Sequence, residues 1–511
     1  MWVRFPPEVQ NIMSPNKKIP SIDIVWFKRD LRTLDNKSLE IVAQSSNPVL
    51  FIYLFEPSVM DYPDYDKRHL QFIHGSLIDI ERKFRSYSLK LYLLKCEANE
   101  FFEEISKKYE INRVLSYQEI GNKLTFERDK ILFKFFKKNN IKWIQHKTNG
   151  IIRGLKSRKD WKKKWVDEMK SKVSFSDLNL IDKTEIDVPK KIETFSLKKN
   201  NDKNFQPGGE TFAWMYMNSF LKKRHKGYTK NISSPTNSRI SCSRLSPYIT
   251  YGNLSSKQVY QLFSNSKNRD IRNFLSRLQW RCHFMQKFDD EPTMEFNNIN
   301  TAYNSIRNEF NRDLLIKWEE GKTGIPIIDA CMRCLNETGY LNFRMRAMIV
   351  SFAAFNLWQN WKNFSHFLAR KFLDYEPGIH WSQVSMQSGT TGINTVRAYS
   401  ILKQSTDHDT DGKYIRTWVP ELSMVPTHYI HEPWKMSKTM QKQINCIIGK
   451  NYPRPIVDEK EARLEGVSKS YKARGSEKVR KISRRINKKH GSRKKPNKLK
   501  KRTKGRQTKF T

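Results

Sequence analysis

Three short segments carry residue types whose spacing could support chemistry. Cys331 and Cys334 stand three apart in IPIIDACMRCLNETGY (325–340), which reads as a helix, so both thiols share one face. A structural zinc or iron–sulfur centre takes four ligands. Cys242, Cys282 and Cys446 are too dispersed to supply the others by spacing, so buried thiols and no metal are expected. GKTG (321–324) ends like a phosphate loop, but the spacing from an upstream Gly fails and no strand precedes it. It reads as a turn that starts a helix at Pro326, which excludes a nucleotide triphosphatase. Ser243 and Ser246, ahead of Pro247 in SCSRLSP, place hydroxyls at a helix start, the arrangement of an ordinary N-cap.

The elements around these segments fall into two regimes. Apolar runs at 22–27, 48–55, 89–96, 112–118 and 141–146 are strand-like, and helical stretches at about 36–44, 66–86, 99–109 and 121–138 separate them. Five buried-type strands with helical crossovers predict a parallel, Rossmann-like α/β sheet whose ligands bind beyond the strand C-termini. No GxGxxG follows the first strand, so the dinucleotide fingerprint is absent. Residues 148–205 are polar and Lys-rich and read as a connector. From Gly208 to about Ile447 the pattern is helical almost throughout and rich in Trp and Phe. The expected organisation is an N-terminal arm (1–20), an α/β unit (21–147), a linker (148–205), a large all-α unit (206–455) and a basic, disordered tail (456–511).

The 511 residues include 95 Lys+Arg against 52 Asp+Glu, a formal net charge of +43, which points to a polyanionic partner. Residues 468–511 hold 20 of the cations and one acid, Glu477, and have too few apolar residues to fold alone. No run of about 18 apolar residues exists, so no membrane span is expected. Met1–Asn11 lacks an apolar signal core and six Cys are sparse, so a reducing compartment is expected.

Motif order carries further information. IVWFKRDLRTLDN (24–36), PGGE (207–210), SCSRLSPYITYGNLS (241–255) and the 321–340 segment running into LNFRMR (341–346) come first. LDYEPGIHWSQ (373–383), GKYIRTWVPEL (412–422), HEPW (431–434) and YPRPIVD (452–458) follow. Together they resemble the photolyase/cryptochrome family of blue-light flavoproteins over about residues 20–465. The resemblance implies an α/β antenna domain, a long linker and an all-α FAD-binding domain. It assigns Ser243, Leu245 and Ser246 to the turn that binds the FAD pyrophosphate, which suits hydroxyls and N–H groups at a helix start. Tyr228 falls on the adenine or phosphate side. Arg346 and Asp374 become the pair beside the isoalloxazine, Glu376 a second carboxylate, and His380 the residue facing flavin N5, where it could donate a hydrogen bond or move a proton. Trp361 matches the middle member of an electron-carrying Trp chain, the flavin-proximal position falls at Ser382 or, after a short gap, at Trp381, and no Trp stands at the distal position near Tyr303 and Phe310. Glu119, at a strand C-terminus, marks where a pterin (folate) or deazaflavin antenna would bind.

The same resemblance exposes departures at the substrate pocket. Trp280 keeps the residue that stacks on a lesion, but Arg277 replaces a Glu, Phe343 an Asn and Val384 a second Trp. The leading expectation is FAD-dependent, light-driven repair of pyrimidine dimers in DNA by a monomer that binds no membrane. A cryptochrome-type receptor is the rival. Basic runs such as RKKPNKLKKR (493–502) would serve nuclear import in a eukaryote and DNA binding at a nucleoid in a bacterium.

Overall fold

The computed structural model describes residues 20–147, 149–155, 157–197, 204–394 and 396–490. The N-terminal arm, apart from Pro20, and the 493–502 basic run lie outside them. Strands β1 (Ser21–Phe27), β2 (Val49–Leu54), β3 (Leu91–Lys95), β4 (Glu110–Tyr117) and β5 (Lys142–His146) form a parallel sheet. A two-residue strand, β6 (Glu193–Thr194), adds antiparallel to β3, giving the order β5-β4-β1-β2-β3-β6. β1 is central, and Trp26 sits in register with Ile52 and Ser116. Both sheet faces are covered. Ile24, Trp26, Ile52 and Val114 pack on one face, while Val25, Phe27, Phe51 and Leu115 pack on the other. This two-residue alternation buries both side-chain sets, which is why the strands read as unbroken apolar runs.

The second of those faces does not end at a domain border. Its core continues into Tyr248, Tyr251, Phe263 and Phe274 of the helical unit. The linker joins the same core through Trp161, Trp165, Met169, Leu178 and Ile181, and residues Trp161–Lys170 form a helix. Residues 161–181 of the linker are therefore packed structure, with an apolar stripe at i, i+4 and i+8 in the helix.

Polar contacts explain two of the sequence motifs. Buried Glu210 of PGGE accepts from the Thr33 N–H and hydroxyl, each at 2.9 Å, and from Lys83 Nζ at 2.6 Å. Gly208 lets that segment lie on the Lys67–Arg85 helix, since a Cβ there would sit 1.9 Å from the Phe72 carbonyl oxygen. Arg32 of WFKRDLR donates to the Gly252 carbonyl at 2.9 Å. Gly252 has φ +78°, and a Cβ on it would lie 2.1 Å from the Arg29 carbonyl oxygen. The loop after β1 is thus clamped against the helical unit.

A second core fills the helical unit around the helices Pro326–Thr338 and Phe343–Ser351. The expected turn before Pro326 is present, and Asp329 accepts from the Thr323 and Gly324 N–H groups. Cys331 and Cys334 are buried thiols on that helix, and burial raises both pKa values.

The expectation of a disordered tail is corrected for residues 459–490, which form two docked helices, Glu459–Gly475 and Glu477–His490. Gly466 permits the first to touch the Phe355 backbone, where a Cβ would come within 2.2 Å of the carbonyl oxygen. Val479, Ile486 and His490 bury the inner side of the second. Three inward positions suffice because neighbouring helices supply the rest of the apolar surface. No helix of the described residues is long and apolar enough to cross a membrane.

Candidate functional site

The helices Arg269–Asp290, Phe343–Ser351 and Pro377–Gln387 and the turn before Ser246 enclose a cavity of about 740 Å³. That size takes a large cofactor. Ten of the expected site residues line it: Tyr228, Ser243, Ser246, Arg277, Trp280, Phe343, Arg346, Asp374, Glu376 and His380. Three do not. Leu245 is buried in the core shared by the two units, so it can offer the site backbone but not side chain. Trp361 and Trp381 lie behind the wall, in the helical core.

At one end the turn presents its hydroxyls. Arg224 donates to the carbonyls of Cys242 and Ser243, the latter at 3.0 Å, and pins their direction. Arg244, in the left-handed region at φ +58°, is held by Gln206 at 2.8 Å and lies over the Tyr340 ring. A cation, two hydroxyls and a helix start form a donor set that suits a pyrophosphate. Arg224 carries no sequence signal, because only the fold brings residue 224 back to the turn, whereas Arg244 stands within SCSRLSP itself between the two hydroxyl residues.

The middle of the cavity is charged. Arg346 makes a two-point pair with Asp374, both contacts at 3.0 Å, and its Nε donates to the Leu341 carbonyl at 2.8 Å. Burial alone would raise the Asp374 carboxyl, but the Arg346 guanidinium holds it below the usual range. Glu376 Oε2 accepts from Arg281 at 2.9 Å, and Arg29 lies 3.8 Å from the same oxygen. Burial raises its pKa in spite of both cations.

His380 is 7% exposed and its Nε2 lies 2.9 Å from the Ser365 carbonyl. A carbonyl only accepts, so the N–H is assigned to Nε2 and the Nδ1 lone pair is left as an acceptor. Burial pushes the pKa down to about 3. The expectation that His380 donates or moves a proton is thereby narrowed: at neutral pH its one N–H is committed to Ser365. Behind it, Trp381 stands 5.0 Å from the His380 ring and 6.2 Å from Trp361. The Trp361 indole N–H donates to Asn298 Oδ1 at 2.7 Å.

The mouth is aromatic and basic. Arg277, Trp280 and Arg281 share a face of the Arg269–Asp290 helix at i, i+3 and i+4. Trp280 is 38% exposed, and Phe343, at the start of its helix, is 52% exposed. Lys287, further along the same helix, also lines the cavity, as do Arg397 and His490 from segments that the motifs did not connect with the site.

The antenna expectation at Glu119 meets a different geometry. Beyond the strand ends lies a crevice of only about 80 Å³. Arg128 reaches Glu56, Glu119 at 2.7 Å and Asp129 at 2.8 Å, and Lys28 donates to Asp129 at 3.0 Å. These groups neutralise one another within the crevice. A pterin or deazaflavin needs several times that volume and free donors, so the residues around Glu119 do not fit one in this crevice. No group of three His, Cys, Asp or Glu among the described residues is arranged to hold a metal ion.

Comparisons with known proteins bear on the family and the fold. Residues 274–472 match a family described as FAD binding domain of DNA photolyase, and residues 23–163 one described as DNA photolyase. A deoxyribodipyrimidine photo-lyase of Alkalihalophilus pseudofirmus is 36% identical over 265 residues, which is 51% of this chain and 55% of that relative. The matched region thus spans about half the length of that relative. A cryptochrome DASH of Synechocystis sp. is 25% identical over 86% of this chain and 96% of its own length. The crystal structure of a class III photolyase from Agrobacterium tumefaciens superposes with a TM-score of 0.77 at 22% identity, covering 91% of this chain and all of that one. At that identity the likeness speaks for the fold.

Proposed function

The chain belongs to the photolyase/cryptochrome superfamily of FAD-binding flavoproteins, and from that premise we propose that it repairs ultraviolet-induced pyrimidine dimers in DNA under blue light. The observation that carries this reading is the open mouth of the cavity. Trp280 and Phe343 both line it and expose aromatic surface, and Arg277 lines it too. Adjacent pyrimidines fused into a dimer stack and pair poorly, so they flip out at low cost, and aromatic faces take up the extruded bases. Relatives whose names specify photo-lyase activity support the same reading.

The FAD would lie with its pyrophosphate on Ser243, Ser246 and Arg244 and its ring against Arg346, Asp374, Glu376 and His380. When bound and reduced, it would supply the light-driven one-electron chemistry that dimer splitting needs. The chain's own residues do the rest. The guanidinium of Arg346 offers positive charge to an electron-rich ring, and Asp374 fixes its plane. Glu376 anchors Arg281 beneath the mouth. Trp280 and Phe343 orient the extruded bases, and Arg277 takes a flanking phosphate.

The second reading is a blue-light receptor of cryptochrome type. Arg277 favours it, since a cation replaces the carboxylate that the family resemblance leads one to expect, and relatives named cryptochrome share the fold and length. The test is direct: purified protein with reductant and ultraviolet-irradiated DNA is exposed to blue light and remaining dimers are counted. Dimers that disappear only in the light support repair. Dimers that persist in both single- and double-stranded DNA support the receptor.

A further inference from the structure

The helix Glu477–His490 has two unlike faces. Inward, Val479 and Ile486 are buried, and Asn300 Nδ2 reaches both the Val479 carbonyl at 3.1 Å and the Ser483 hydroxyl at 3.0 Å. Its last turn is tied to the end of the Arg269–Asp290 helix, where Glu291 contacts Lys489 and, at 3.3 Å, His490. His490 also lines the cavity, so this helix ends at the site itself. Outward, Lys478, Arg480, Lys481, Arg484, Arg485 and Lys488 are all exposed. None of the six forms an ion pair among the described residues, and the only acid on the helix is Glu477.

Like charges three and four residues apart repel one another. A face of this kind gains most by meeting a regular array of anions. Residues 478–488 span roughly 15 Å of helix axis, enough to lie along several phosphates of a duplex. Because the helix runs to the cavity rim, a duplex presenting an extruded base to the cavity would bring its flanking backbone alongside.

We propose that the outward face of the Glu477–His490 helix grips the DNA backbone beside the nucleotide that enters the cavity. This rests on the repair reading above and assigns it a binding surface. The contact is with phosphates, so it holds the duplex without reading sequence.

The experiment uses the full chain with its flavin. A variant carrying Lys481→Gln, Arg484→Gln, Arg485→Gln and Lys488→Gln is compared with the parent for binding of an ultraviolet-irradiated duplex between 50 and 200 mM salt. Each lost phosphate contact removes about 0.9 from the slope of log K against log salt. The expected result is a slope shallower by about 3.6 and affinity down at least about tenfold, with flavin content unchanged. An Arg480→Lys, Arg484→Lys, Arg485→Lys variant keeps the charge and should keep the parent slope. A parent that binds the duplex and a Gln variant with the same slope overturn the proposal. A parent that binds vesicles of acidic phospholipid but no duplex also overturns it, in favour of a membrane surface. A parent that binds and repairs no irradiated DNA refutes the repair reading, a result separable from the first because it is read on the parent alone.

Discussion

Trp361 and Trp381 stand with ring centroids 6.2 Å apart, both sealed from solvent, and Trp381 lies 5.0 Å from His380 on the cavity wall. Buried aromatic pairs of this kind are common in cores. What distinguishes this one is its position directly behind a cavity wall and the hydrogen bond that fixes Trp361 to Asn298. An electron leaving Trp361 for the cavity has an aromatic ring at each step.

The Trp381→Phe variant keeps an aromatic ring at the position and removes the readily oxidised indole. Flavin content should stay at the parent level while light-driven flavin reduction by an external donor slows at least about tenfold. Absorption recorded during illumination measures the rate. A parent-like rate would make the pair a packing feature.

The Arg346–Asp374 pair makes a different prediction. Asp374→Asn preserves shape but leaves a guanidinium facing a neutral amide in a buried setting. Removing one partner of such a pair costs roughly 3 kcal/mol. Retained FAD per chain should fall, and the melting temperature of the flavin-bound protein should drop. Full flavin occupancy after gel filtration would contradict the role given to the pair.

His380 gives a pH prediction. Its pKa is about 3 when folded, against an ordinary value near 6.5. Between those values the unfolded chain binds a proton that the folded chain refuses, so stability falls as pH drops from about 6.5 toward 3. At pH 5 the cost is about 2 kcal/mol. His283, also held near 3 by burial, contributes in the same direction. His380→Gln should flatten the stability profile below pH 6.5, read from urea midpoints, by up to one proton. Above pH 7 parent and variant should show equal slopes.

The parallel sheet was legible because β1, β2 and β4 are buried on both faces and therefore read as unbroken apolar runs. The turn at Ser246-Pro247 and the helix start at Pro326 were legible because Pro marks a first turn. The Arg346–Asp374 contact was reached through motif order, since a separation of 28 residues carries no geometric signal. The convergence of Arg29 and Arg281 on Glu376 was invisible for the same reason, as three separate elements meet there. The docked C-terminal helix did leave a trace. Val479, Ile482 and Ile486 recur at i, i+3 and i+7. Surrounding Lys and Arg masked that stripe when the segment was judged by composition. Trp161, Trp165 and Met169 in the linker repeat the lesson.

The crevice beyond the strand ends yields the last prediction. Glu119 there is claimed by Arg128, with Lys28 at 3.9 Å and Arg29 at 3.8 Å. Inserting a chromophore would break several buried charge contacts and require space well beyond about 80 Å³. Glu119 stays ionised, because the cations of Arg128 and Lys28 outweigh the burial that would raise its pKa. Protein incubated with a reduced folate or a deazaflavin and then desalted should therefore carry flavin absorption alone, and its action spectrum should follow reduced FAD with no added band. Arg128→Ala removes the central cation and leaves Glu56, Glu119 and Asp129 facing one another. That variant should lose several kcal/mol of stability, on the order of 3–5 for a buried charge network broken at one partner, and still take up no second chromophore. A stoichiometric folate or deazaflavin band in the parent would show that the network opens to admit one.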